Sequence, residues 1–142
     1  MPRGFSLLEL LLLLTLVGIL AGLAYPRALE TLDRAAVERA TRELVAAHAR
    51  ARMNAVVESR IGLLYVSADS IVLKMVAGSD TLTRWRSPGP RTLGITLSGP
   101  SRPLRFLPTG VTFGASNATY VLSRGAWTRR VIVSRWGRVQ VQ

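Results

Sequence analysis

Cysteine is absent from the 142 residues, and lysine and histidine occur once each, as Lys74 and His48. Without cysteine there is no disulfide and no thiolate metal site, and the fold must stand on packing alone. A lone histidine has no second ring to share a metal and no partner for a nucleophilic triad. Acids are scarce too: eight in all, six of them between Glu9 and Glu58, then Asp69 and Asp80, and none beyond. No paired carboxylates and no phosphate-cradling glycine motif occur, so no catalytic site, metal site or cofactor site is expected. The Asn117-Ala118-Thr119 sequon matters only in a glycosylating host.

What is present is arginine, unevenly placed. Residues 1–59 hold seven arginines against six acids, whereas residues 60–142 hold eleven arginines and Lys74 against two, so the net charge of +11 belongs almost wholly to the C-terminal part. Such a surface favours anionic partners: nucleic acid, lipid headgroups or an acidic protein. At 15.5 kDa the chain has room for one small domain and an extension.

The extension is N-terminal. Phe5 to Ala24 is twenty residues, and as a helix this length spans roughly the 30 Å hydrocarbon core of a bilayer. A plain transmembrane anchor, a cleaved secretory signal and a processed leader followed by an anchor all fit that length. Small residues at Gly22 and Ala24 behind an apolar run, with Arg3 in front, suit a signal peptide. Glu9 argues against it, because a carboxylate inside an apolar run costs a few kcal/mol towards the bilayer centre. A charge at that depth implies a partner.

From Arg27 to about Glu58 the pattern stays helical and turns amphipathic. Leu32, Ala36, Ala40, Leu44, Ala47, Ala51 and Ala55 recur at steps of three and four, with Val37, Val45 and Val56 beside them, which predicts one apolar stripe. Arg34, Glu38, Arg42, Arg50 and Arg52 fall largely off it. An unbroken helix from Phe5 to Glu58 would be roughly 80 Å long, and Gly18, Gly22 and Pro26 mark where it would bend.

After Arg60 the chain reads as short strands broken by Gly, Pro, Ser and Asp. The expected strands are 62–66, 70–76, 81–86, 93–97, 104–107, 119–123, 128–134 and 138–141. Segments 87–91 and 99–103, rich in Pro and Gly, are expected as exposed loops. Trp127 and Trp136 are expected to pack in the core or at an edge. The fold class is α+β: a long N-terminal helix, transmembrane in its first half, packed against a small antiparallel β-sheet head domain.

Gly4-Phe5-Ser6-Leu7-Leu8-Glu9 resembles the prepilin processing motif. The resemblance implies a leader of residues 1–4, cleavage after Gly4 by a prepilin peptidase, and N-methylation of the new terminal residue, Phe5. Glu9 then falls fifth in the mature chain, where it would pair with the Phe5 ammonium of a neighbouring subunit and tolerate burial only on assembly. The implied organisation is a transmembrane helix over 5–25, an amphipathic continuation over 26–59 and a β-rich head over 60–142.

Further along, Arg105-Phe106-Leu107-Pro108-Thr109-Gly110, Tyr120-Val121-Leu122 and the run from Arg130 to Val139 resemble the C-terminal pattern of the GspH/FimT group of pseudopilins. One branch implies a minor pseudopilin, a structural subunit of the periplasmic pseudopilus of type II secretion, held in the bacterial inner membrane with its head in the periplasm. Its partners would be other pilin or pseudopilin subunits, the prepilin peptidase and the membrane. The other branch implies a minor type IV pilin that binds DNA for uptake through a Gly-Arg-x-Arg tail. Here the tail reads Gly137-Arg138-Val139-Gln140, without the second arginine, so the DNA contacts would fall to Arg129, Arg130, Arg135 and Arg138. Phosphate contacts need only arginine density, and Trp127 and Trp136 could stack on single-stranded bases.

Overall fold

A computed structural model describes residues 6–114 and 117–142 of the chain. Helix α1 spans Leu7–Val57 and is followed by eight strands: β1 (Gly62–Val66), β2 (Ser70–Ala77), β3 (Asp80–Pro88), β4 (Thr96–Ser98), β5 (Leu104–Phe106), β6 (Ala118–Arg124), β7 (Trp127–Val133) and β8 (Val139–Val141). The chain divides into two compact units, residues 1–32 and 33–142.

Within the first unit, α1 begins at a capped turn. The Ser6 hydroxyl accepts the Glu9 N–H at 3.3 Å, and the Ser6 carbonyl accepts the first helical bond, from Leu10 N–H. Ser6 is therefore the N-cap. The leucines that follow, from Leu7 to Leu20, are exposed, and this is the one helix among the described residues long and apolar enough to cross a membrane. Helical structure continues through Gly18, Gly22 and Pro26.

In the second unit, α1 buries Val37, Ala40, Thr41, Leu44, Ala47, His48, Ala51 and Ala55. The stripe is the one its spacing predicts, with corrections at both ends. Leu32 is 61% exposed and Val56 is exposed as well, because the buried stripe starts at Val37, more than a turn beyond Leu32, and ends at Ala55. Alanines along the stripe let the sheets approach closely. The helix ends in a Schellman arrangement: Arg60 N–H bonds the Ala55 carbonyl and Ser59 N–H the Val56 carbonyl. Ser59 takes the left-handed conformation, φ 51°, where glycine is the usual residue.

Two four-stranded antiparallel sheets complete the core, one in the order β3-β2-β1-β5 and the other β4-β6-β7-β8. Alternation places Ile71, Leu73 and Met75 of β2, Leu104 and Phe106 of β5, Tyr120 and Leu122 of β6, and Val131 and Val133 of β7 in one cluster with the α1 stripe. The architecture is the α+β fold expected, one long N-terminal helix packed against antiparallel sheets. Tight hairpins set the registers: Gly78, φ 65°, and Gly125, φ 56°, each take the first position of a two-residue turn.

Two expectations fail between β3 and β5. Residues 93–97 do not form one strand. Pro90–Leu93 is a turn of 3-10 helix closed by Gly94 at φ 67°, so extension starts only at Thr96. Segment 87–91 is no exposed loop either, because Gly89 and Pro90 are buried. Gly89 N–H bonds the Asp69 carbonyl and Arg91 N–H the Ala68 carbonyl, both at 2.9 Å, which lays this segment against the β1–β2 turn. Glycine and proline mark a close backbone approach here rather than a solvated loop.

Candidate functional site

Of the residues that the prepilin resemblance singles out, Gly4 and Phe5 lie outside the described residues, and Glu9 sits exposed in the first turn of α1. Ser6 and Glu9 occupy the N-cap and third helical positions. Ser-x-x-Glu is the capping-box spacing, and an acidic side chain there also suits the positive end of the helix dipole. The sequence carried this signal, hidden beneath the processing motif that shares the same residues.

The four arginines considered for DNA contact do not share one face. On β7, Trp127, Arg129, Val131 and Val133 alternate with Thr128, Arg130 and Ile132. Arg129 therefore lies on the helix side, where its guanidinium is 3.9 Å from the Glu38 carboxylate. Glu38 is already engaged by Arg34 Nε at 3.0 Å. The hydrogen bond from Arg34 holds the Glu38 carboxyl below its ordinary pKa, aided by the charges of Arg34, Arg129 and Arg42. Arg130 projects to the opposite face of the sheet and is exposed.

Arg135 and Arg138 belong instead to the β7–β8 turn. Gly137 N–H bonds the Ser134 carbonyl, and Ser134 and Arg138 pair through Ser134 N–H to the Arg138 carbonyl, both at 2.9 Å. Gly137 has φ 73°, so this is a three-residue loop of the kind that closes on a left-handed residue. Thr112 Oγ1 donates to the Arg135 carbonyl and holds the turn from beneath. At its tip Trp136 is 75% exposed, against the expectation of core or edge packing: the loop lifts it clear of both sheets. Trp127 does pack against the core, with the Arg34 guanidinium 5.2 Å from its ring centroid. Arg135, Trp136 and Arg138 are thus the exposed group that the turn brings together.

Among the described residues, two buried polar groups remain without a hydrogen-bond partner. The His48 ring meets Phe106 edge-on at 5.0 Å between centroids, and Nε2 is buried without a hydrogen-bond partner. Burial, with a smaller effect of the Arg52 charge, lowers its pKa to about 4. Tyr120 is likewise buried with its hydroxyl unpartnered, and burial raises its pKa to about 12 against a small opposing effect of Arg102. Among the described residues, no three side chains of His, Asp or Glu come together as a metal site.

Comparisons with known proteins agree on the kind of molecule. The family model described as type II transport protein GspH matches residues 40–137. The pilin-like protein PilA1 of Thermus thermophilus is 31% identical, over 99% of this chain and 98% of its own. Among solved structures, the type IV minor pilin FimU of Pseudomonas aeruginosa superimposes with a TM-score of 0.65 at 20% identity, covering 78% of this chain and 90% of FimU. The minor pseudopilin EpsH from the type 2 secretion system of Vibrio cholerae gives 0.53 at 12%, over 78% and 96%. The two structures share the fold.

Proposed function

The chain belongs to the GspH family of type II transport proteins, and from that membership we propose that it is a minor pseudopilin, a structural subunit of the periplasmic pseudopilus of a type II secretion system. Its work is done by contacts. A prepilin peptidase cleaves after Gly4, Phe5 is N-methylated, and the subunit waits in the inner membrane with its head in the periplasm. Glu9 then meets the Phe5 ammonium of a neighbour on assembly, offsetting the cost of a charge in lipid.

The observation that carries this reading lies in α1. One helix holds both a charge-free apolar run from Leu10 to Tyr25, exposed from Leu10 to Leu20, and, from Val37 onward, the buried stripe of a folded head. The intact mass of membrane-extracted protein tests it. A chain lacking residues 1–4 and carrying one methyl group is expected; a chain beginning at Tyr25, or one retaining Met1, overturns it.

The exposed tip of Arg135, Trp136 and Arg138 favours a second reading, a minor type IV pilin that takes up DNA. Backbone phosphates would meet the arginines and an unpaired base the indole. A salt titration of DNA binding by the full chain in detergent separates the two: no binding at low salt ends this reading, and binding lost in Arg135→Ala with Arg138→Ala supports it.

A further inference from the structure

Strand β8 is one of the two edges of its sheet, opposite β4. Arg130 and Gln142 exchange both main-chain bonds, at 2.8 and 2.9 Å, and Ile132 faces Gln140 in the same register. Antiparallel geometry then turns the N–H and C=O groups of Val139 and Val141 away from β7, to the open edge. Such a row is a template for one more strand.

Between this edge and α1 runs an open groove. It comprises two hollows of about 640 and 620 Å³ that share Val45 and Ala49 as floor. Met53 and Val56 extend the apolar floor at one end and Val141 at the other, all of them exposed. From Glu38 to Val56 the helix gives roughly 27 Å of length, enough for about eight extended residues.

The rim is cationic. Arg42 and Arg129 border one hollow, and Arg52 and Arg138 the other. Among the described residues, Arg42, Arg52 and Arg138 have no carboxylate within ion-pair distance. Glu38, the acid on the rim, is held by Arg34. His48, only 5% exposed, also lines the second hollow, with its unpartnered Nε2 buried beneath the surface.

We propose that this groove receives an extended acidic segment of a different subunit, which adds to β8 as a fifth strand of the sheet. The proposal rests on the assembly reading above for the word subunit and on the groove alone for the chemistry. A second copy of this chain is a poor occupant: no acidic side chain follows Asp80, and among the described residues Asp80 is the one acid in a strand. Nucleic acid would satisfy the arginines but leave Val45, Ala49, Met53 and Val141 uncovered and the edge amides unused. An alternating segment satisfies all three, with apolar side chains on the floor, carboxylates at the rim and main chain on β8.

The test uses the full chain in detergent micelles and a fluorescent octapeptide of alternating valine and glutamate, blocked at both ends. Saturable binding is expected, weakened about 10-fold or more, a loss of about 1.4 kcal/mol, by Ala49→Trp, which fills the floor. Val141→Pro should weaken it similarly, by removing an outward N–H without touching the β7 ladder. Exchange of the Val139 and Val141 amide hydrogens should slow when peptide is bound. If Ala49→Trp loses helical circular dichroism, Val141→Pro and the exchange measurement decide. No binding, equal binding of a lysine-valine octapeptide, unchanged amide exchange, or a 20-nucleotide DNA that binds the wild type and loses affinity in Ala49→Trp would each overturn the proposal. The intact-mass result bears on the assembly reading and is independent of all of these.

Discussion

Asp33 and Arg124 lie 2.7 Å apart, Oδ1 to Nε, and join α1 to the β6–β7 hairpin. The same guanidinium donates from Nη1 to the Leu93 carbonyl at 2.6 Å, so a single side chain gathers the helix, the hairpin and the 3-10 turn before β4. Gly125 makes the approach possible: a Cβ there would stand 2.4 Å from the Asp33 carboxylate.

Both partners are only partly shielded, with side-chain exposures of 25% for Asp33 and 36% for Arg124, so the charge pair itself is worth about 1 kcal/mol at most. A double-mutant cycle with Asp33→Ala and Arg124→Met should return a coupling of that order. Arg124→Met should nonetheless cost more than Asp33→Ala, because it also strands the Leu93 carbonyl. Thermal unfolding of the four proteins measures both quantities.

His48 makes the head acid-sensitive. Its folded pKa, lowered to about 4, lies below the unfolded value of about 6.5, so the unfolded chain binds the proton first as pH falls. Stability is complete above about pH 6.5 and declines as pH drops towards 4. Between pH 7 and 5 the loss should be roughly 2 kcal/mol. His48→Phe should flatten that part of the profile, as followed by thermal unfolding at both pH values. An unchanged slope would locate the acid sensitivity elsewhere.

The contrast between His48 and Gly89 shows what the sequence could and could not convey. His48 falls on the helical stripe by spacing, so its burial follows from the same periodicity that places Leu44 and Ala51. Strands β1, β2, β6 and β7 were likewise readable to within a residue or two, because alternation and turn residues are local signals. Gly89 and Pro90 carry the composition of an exposed loop, yet lie buried against residues 68–70, since a contact between segments twenty residues apart leaves no local trace. The arginines divide for a related reason. Their density is visible in the sequence, but only pairing with β6 and β8 tells which side of β7 each one takes, and the groove beside β8 is invisible until both its walls exist.

Gly89 is consequently a sharp test of that buried contact. A Cβ on it would lie 2.3 Å from the Ala68 carbonyl oxygen and 2.5 Å from the Ser70 nitrogen, both backbone atoms that cannot rotate away. Its φ of −85° is open to any residue, so the cost is steric rather than conformational. Gly89→Ala should destabilise the head by more than about 2 kcal/mol, read as a lower melting temperature. Gly78→Ala, with open space around its Cβ and a strained φ of 65°, should cost only about 1 kcal/mol.

Glu9 has one position that the structure shows and one role that is proposed, and a single substitution separates them. As the third helical residue beyond Ser6 it has the spacing of a capping box, a position that glutamine fills nearly as well. As the charge proposed to meet the Phe5 ammonium of a neighbour, it would have no substitute in glutamine. Glu9→Gln should therefore leave helix content, membrane insertion and cleavage after Gly4 unchanged while sharply reducing incorporation into filaments. Glu9→Leu should behave the same in assembly and weaken the cap by about 1 kcal/mol or less. Sheared filaments and membrane fractions, compared by quantitative mass spectrometry of the mature chain, give both readouts. Incorporation of Glu9→Gln at the wild-type level would reduce Glu9 to a capping residue and remove the electrostatic basis of the assembly reading.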